Sequence, residues 1–357
     1  MKHISNLLMW SKAFGSDSGA TGGGGGDIDA LIDGTITEVT SGATSVRQYM
    51  FENCTELTNA NFPNLTNAPT RMFINCTSLT SVDIPNVMSV TGNMFYQCSK
   101  LTSANFPNAT SIGDYAFYGC SELTSADFPN ATSVGQSAFY DCSKLTRVDC
   151  PNATSVGREA FRNCSTLTRA DFPNATSVGQ RVFYYCSKLE SADFRNATSV
   201  GQDAFRYCST LTRADFPNVI DMGDSAFQNC SKLESADFPN ATSVGQSAFY
   251  YCSKLNNVNI PNVTSVLNNA FFRCLNLTSI DLPNVTIIKI GAFSDCSALI
   301  NVRLPATPPT LDTVNAFSGV PTTCVFYIPT GSLSAYQAAT NWSSLTSTYS
   351  FVEEDRA

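Results

Sequence analysis

Histidine is nearly missing from this chain of 357 residues. The single one, His3, lies at the very start, so Ser-His or Cys-His nucleophilic catalysis has no base to draw on elsewhere. Charge is sparse too: Lys, Arg, Asp and Glu make up 14% of residues, for a formal net charge of -8. The few cations are scattered beside acids, which argues against a nucleic-acid partner, since phosphate binding demands a basic stripe. No run approaches the ~20 consecutive apolar residues that cross a bilayer, so no membrane span is expected. The glycine run Gly22 to Gly26 has no strand before it and no Lys-Ser/Thr after it, so it is not a phosphate loop. No C-x-x-C pair exists, and neither a metal nor a cofactor is expected.

What the chain does have is cysteine at a fixed step of 22 residues: Cys54, Cys76, Cys98, Cys120, Cys142, Cys164, Cys186, Cys208, Cys230, Cys252, Cys274 and Cys296. Phe stands three places before each of these and Leu three places after. A step held without insertion means that every unit occupies one turn of a stack, because identical geometry demands identical length. Aligning the units gives an internal consensus, C-S-x-L-T-x-A-D-F-P-N-A-T-S-V-G-x-x-A-F-x-x. Solenoids grow without a domain limit, so the length predicts one domain with appendages.

Within a unit, L-T-x-A-D-F places apolar residues at its first, fourth and sixth positions, and the Pro-Asn that follows ends a strand. One short parallel strand per turn is predicted, from Leu57 to Phe62, Leu101 to Phe106 and onward to Leu299 to Leu304. The S-V-G-x-x-A-F-x-x-C segment is too short for a stable α-helix and should be an extended piece followed by a single helical or 3₁₀ turn. Gly113, Gly135, Gly157, Gly179, Gly201, Gly223 and Gly245 are expected to supply the bend or a positive φ between them.

The G-x-x-A-F-x-x-C-x-x-L core with its terminal Pro, over residues 43 to 306, resembles the leucine-rich repeats called BspA-like, found mainly on bacterial surfaces. The 22-residue unit is slightly shorter than is typical of them. The resemblance implies a mainly β, right-handed, curved leucine-rich-repeat solenoid of about 12 turns with one parallel sheet, acting in adhesion or protein recognition.

The ends read differently. Residues 1-14 carry Ile4, Leu7, Leu8 and Trp10 at helical spacing without an A-x-A-like cleavage site directly after them; a docking helix is expected rather than a signal peptide. Residues 15-26 have the composition of a flexible linker, and 27-42 should cap the first turn. Beyond residue 306 the register breaks. Residues 307-357 are read as an irregular last turn and a C-terminal cap: a strand from Cys324 to Ile328, a turn at Pro329-Thr330-Gly331, then a helix near 332-342. In that helix Ser332 is the N-cap, and Leu333, Tyr336 and Ala339 cover the open end.

Three columns invite chemistry. The in-register thiols stand about a strand spacing apart, beyond disulfide reach, and are read as buried core residues; Cys150, in a column of Phe, agrees. Asn108, Asn130, Asn152, Asn174, Asn196 and Asn240 begin Asn-Ala-Thr triplets, which invite a glycosylation reading, but an inward ladder bonding neighbouring backbone explains the column without glycan and is the expectation. Asp127, Asp149, Asp171, Asp193, Asp215 and Asp237 form an outward acidic column. Arg147, Arg169 and Arg213 can neutralise it, with Lys144, Lys188 and Lys232 nearby; a calcium ion or a basic ligand is the sharper alternative.

The free positions lie between Phe and Cys, where Tyr118, Tyr140, Arg162, Tyr184, Tyr185, Arg206, Tyr207, Tyr250 and Tyr251 are the ligand-binding candidates, with Tyr96, Phe272 and Arg273 alongside. Tyr and Arg dominate recognition surfaces; the plainer reading is that the rings only shield the flank. The functional reading is a non-enzymatic recognition or adhesion module facing outward from a bacterial cell and binding a protein or glycan. The alternative is a structural or receptor-binding, tail-associated component of a phage or prophage particle. There residues 1-14 would engage an assembly partner or a second copy of the chain. A carbohydrate-active enzyme ranks third, because every prominent Asp belongs to the repeat register.

Overall fold

The computed structural model describes residues 37-355. The docking segment, the linker and most of the expected N-terminal cap lie outside the described residues. The chain divides into two compact units, Met1–Ala153 and Thr154–Ala357.

Each unit is a parallel β-solenoid. In the first, six three-residue strands recur, from Glu38–Thr40 through Ser81–Asp83 and Ser125–Asp127 to Arg147–Asp149. In the second, eight recur from Arg169–Asp171 to Val325–Pro329, with Ser350–Glu354 paired to the last. Fourteen turns are present, close to the expected twelve plus end caps, and the last strand, Val325–Pro329, falls where Cys324 to Ile328 was expected. The additional strands, Glu38–Thr40 and Val325–Pro329, lack the full motif but pair in register with Asn59–Asn61 and Asn301–Arg303. Between motif-bearing turns partners differ by 22 residues, as in Ala104↔Ala126 and Ala214↔Ala236, so there the sequence period is the register itself.

The strands are shorter than L-T-x-A-D-F. Only the x-A-D triplet pairs as strand, with Ala126 and its equivalents pointing inward and their neighbours outward. Leu57, Leu101 and Leu123 instead sit at a corner, their N–H groups donating to the Cys carbonyl three residues back (3.1, 3.0 and 3.1 Å). A second, two-residue ladder runs along the S-V segment, six strands long from Ser199–Val200 to Thr310–Leu311.

The rest of each turn forms no regular helix except in the last, where Val314–Phe317 is a 3₁₀ helix. Bonds from i+3 to i, such as Cys98 N–H to Phe95 O at 3.0 Å, alternate with bonds to the next turn, such as Phe95 N–H to Ala116 O at 2.8 Å. Helix cannot propagate because two residues per turn hold a positive φ: the second after the glycine (Tyr115, Arg181, Asp203) and the one before the cysteine (Asn75, Asn163, Tyr185). The repeat glycines themselves are not in that region. They are required by proximity: a Cβ on Gly135 would lie 2.5 Å from the Gly113 carbonyl carbon and 2.6 Å from Asp114 N. The backbones of successive turns touch there, and a side chain has no room.

Phe columns form the core. Phe73, Phe95, Phe117 and Phe139 stack at 5.1 to 5.5 Å in the first unit, and Phe183, Phe205, Phe227 and Phe249 likewise in the second. All fourteen cysteines are buried free thiols. In the repeat column the S–H groups donate to the carbonyl of the Phe one turn earlier, as in Cys76 to Phe51 O at 3.0 Å and Cys208 to Phe183 O at 3.2 Å. The asparagine ladder exists, but on the surface rather than inward: Asn108, Asn130, Asn152 and Asn240 are exposed, and their amides donate to Pro85, Pro107, Pro129 and Pro217 carbonyls at 2.7 to 3.0 Å.

At the C-terminus the cap has two helices, Leu333–Ala338 and Trp342–Thr348, where one was expected. Ser332 makes no capping bond; its hydroxyl turns back to Pro329 O, and Glu353 accepts from Leu333 N–H at 2.9 Å instead. Trp342 opens the second helix and is fully buried against Phe317, Phe326, Tyr336 and Phe351, its indole N–H donating to Pro309 O at 2.7 Å. Trp342→Ala is expected to cost about 3 to 5 kcal/mol and to leave the last Phe ring exposed, giving aggregation by light scattering. Trp342→Phe, losing the donor and part of the ring volume, should cost less, about 2 kcal/mol; equal stability of both variants would contradict this account of the cap.

Candidate functional site

The position before each cysteine decides where a large side chain can project. Its αL backbone favours Asn, Asp or Gly, which occupy it at Asn53, Asn75, Gly119, Asp141, Asn163, Asn229 and Asp295. In the second unit Tyr185, Tyr207, Tyr251 and Arg273 stand there instead, at φ of 57 to 65°. Holding a bulky residue in that region costs about 1 to 2 kcal/mol each, and such strain gathers where function needs it.

Around Tyr185 the side chains converge. Tyr185 is 44% exposed and stacks on Tyr207 at 4.3 Å between ring centroids. Tyr184 stands edge-on to both, at 4.7 and 5.9 Å. The Arg162 guanidinium lies 5.0 Å from the Tyr184 ring, and that of Arg206 lies 5.8 Å from Tyr184 and 5.2 Å from Tyr207. Beneath them Asp203 is buried and accepts from Arg181 Nε at 3.2 Å and Arg206 at 3.0 Å. Glu159 gathers Arg158, Arg162 and Arg181 at 3.7, 3.1 and 3.6 Å. Five of the nine candidates named from sequence, Arg162, Tyr184, Tyr185, Arg206 and Tyr207, therefore form one cluster.

The other four lie elsewhere. Tyr118 and Tyr140 belong to the first unit, where they continue a stack from Tyr96 at 4.9 and 4.7 Å. Tyr250 stacks on Phe272 at 4.9 Å, while Tyr251 lies under Arg273, which donates to its hydroxyl at 2.9 Å and to Asp295 at 3.0 Å.

The acidic column is largely neutralised by its own strands. Arg147 reaches Asp149 at 2.7 Å, Arg213 reaches Asp215 at 3.1 Å, and Arg169 pairs with Asp171. Asp237 accepts from Asn259 at 2.7 Å. Lys144 turns away to Glu122 at 2.6 Å. Asp127 lies opposite Asp149 in the ladder. Among the described residues no three His, Cys, Asp or Glu side chains converge as a metal site would require.

Five participants escaped the sequence reading, among them Arg158, the first residue after its glycine. Glu159, Arg181 and Asp203 sit at the second place after the glycine, a position treated as filler; its variation from Ser137 and Ser225 to charged residues was the available signal. Arg195 stands where neighbouring turns have Pro, and that single break in the consensus marks it. Its freed N–H and its guanidinium both bind Asp193, holding that carboxyl below the usual range. Together with Glu190, Arg213 and Asp215 they line a groove of about 630 Å³ on the sheet face.

Residues 34–146, 110–234 and 220–331 match the profile described as the BspA type leucine-rich repeat region. The chain belongs to the BspA-type leucine-rich repeat family. A leucine-rich repeat protein from Bacteroides ovatus is 23% identical over 88% of either chain, with a TM-score of 0.63, and shares the fold of this BspA-type protein. A leucine rich cell surface protein from Faecalibacterium prausnitzii is 24% identical over 71% of this chain and 85% of its own, with a TM-score of 0.40. Among curated proteins none matches the sequence. No described helix is long and apolar enough to cross a membrane.

Proposed function

We propose that this BspA-type protein is a non-catalytic recognition module, displayed outward from a bacterial cell, that binds its ligand through Tyr184, Tyr185, Arg206 and Tyr207. The observation that carries the reading is Tyr185: a large ring held in the αL region and 44% exposed, at a position where seven of the other eleven turns use Asn, Asp or Gly. Packing does not account for it, because the same turn closes around Asn163 and Asn229 with the same backbone bonds, at 2.8 Å in each case. Family membership supports outward display, since BspA-like repeats are found mainly on bacterial surfaces.

The test separates binding from folding. Replacing Tyr185 by Asn relieves about 1 to 2 kcal/mol of backbone strain and gives up about 0.5 to 1.5 kcal/mol of ring stacking. The two nearly cancel. The single variant Tyr185→Asn should therefore melt close to wild type and bind immobilised cells or glycan and protein arrays at least tenfold more weakly, roughly the effect of losing one aromatic anchor. Full binding with an unchanged melting temperature would end this reading.

A further inference from the structure

We propose that the cluster around Tyr184 takes an anionic ligand, specifically an acidic polysaccharide laid along successive turns. The inference rests on reading that cluster as the recognition surface and goes on to name what it recognises.

Charge comes first. The chain carries -8 overall, yet here four guanidiniums, Arg158, Arg162, Arg181 and Arg206, are joined to only two carboxylates, Glu159 and Asp203. The carboxylates are also the least accessible members. Their side chains are 14% and 3% exposed, against 27 to 50% for the arginines, so the surface presented to solvent is cationic.

Ring geometry weighs against the usual neutral-sugar platform, which needs an open aromatic face. Tyr185 and Tyr207 cover one face of each other, and Tyr184 is flanked by the Arg162 and Arg206 guanidiniums. The cluster's hydrogen-bonding groups are guanidiniums, which only donate, and phenol hydroxyls, which donate or accept. Carboxylate or sulfate oxygens complement such a set, and guanidiniums engage them in a planar fork. The arginines also recur from turn to turn, Arg158 and Arg162 on one, Arg181 on the next, Arg206 on the third. A stiff polymer with regularly spaced acid groups matches that repetition; an irregular folded protein surface does not.

The full chain should be titrated with heparin, polygalacturonate, polyglutamate and neutral dextran. Wild type should bind the two acidic polysaccharides and lose about tenfold in affinity between about 50 and about 300 mM salt, as expected for exposed charges. The half-exposed Arg158→Gln, alone and with Arg162→Gln, leaves the Asp203 pairs intact; the double variant should weaken acidic polysaccharide binding about tenfold with an unchanged melting curve. Acidic polysaccharide binding unaffected by either variant would overturn the site. Polyglutamate bound as tightly as the polysaccharides would overturn the glycan class, and so would silence towards every charged probe. Dextran binding that survives the arginine changes but vanishes with Tyr185→Asn would overturn the anionic assignment while leaving the recognition surface standing.

Discussion

Raising the pH from 8 to 10 is expected to unfold the protein, with the second unit failing most steeply. Burial pushes the thiols of Cys186, Cys208, Cys230, Cys252, Cys274 and Cys324 far above their ordinary value, and that of Cys296 up to about 12. An exposed thiol in the unfolded chain ionises near 8.5. The folded state therefore holds protons that the unfolded state releases, so this contribution to stability is complete below about pH 8.5 and is lost as pH climbs towards the folded values. Each thiol costs about 1.4 kcal/mol per pH unit in that window, and seven unfolding together cost on the order of 10 kcal/mol per unit. That rivals the whole stability of a domain.

Circular dichroism melts between pH 7 and 10.5 would show a collapse beginning near pH 9. The slope also counts the thiols in one cooperative unit. Replacing Cys208 and Cys230 by Ala should lower it by two protons, while a stability that stays flat from pH 8 to 10 would mean the thiols are not held as described. Native thiols should likewise resist alkylation until the turns open, which makes each cysteine a reporter of its own turn.

Gly223→Ala should be nearly as damaging. Its φ suits any residue, so the ordinary expectation would be a gain of about 0.4 to 1 kcal/mol from a stiffer unfolded chain. The new methyl would, however, lie 2.6 Å from Gln202 N and from the Gly201 carbonyl carbon, and 2.9 Å from Val200 O. All three are backbone atoms, which cannot rotate aside. The turns must separate, at the Gly223 N–H to Val200 O bond of 2.7 Å among others, at a cost of about 3 kcal/mol or more. Gly42→Ala is the control, its Cβ meeting only the Asn64 amide at 3.6 Å, and should stay within about 0.5 kcal/mol of wild type. Denaturant midpoints and alkylation of Cys208 and Cys230 would report the difference; indistinguishable variants would refute the contact argument.

Most of the architecture was legible because a repeat is its own alignment. The 22-residue step gave turn length, strand register and the buried Phe, Leu and Cys columns directly, since stacked identical turns can only place equivalent residues above one another. The readings that failed concern local conformation: the strand length, the inward asparagine ladder, the repeat glycines and the C-terminal cap. Repeat glycine serves either conformational freedom or close approach, and only the measured Cβ contacts distinguish them. Ser332 has the look of an N-cap, but Glu353 from the final strand reaches the helix end first. The candidate site was half visible: the Tyr and Arg positions stood out as variable, whereas Asp203 did not, because nothing along the chain says that a filler position turns inward beneath two arginines.

By itself the sequence determined the solenoid, its period and its core, because those follow from periodicity, which is a property of order along the chain. Only the tertiary structure decided which candidates act together. Residues 22 apart in sequence come within a strand spacing of each other, and whether Tyr185, Tyr207, Arg162 and Arg206 meet depends on backbone dihedrals and on the buried carboxylates that orient the guanidiniums.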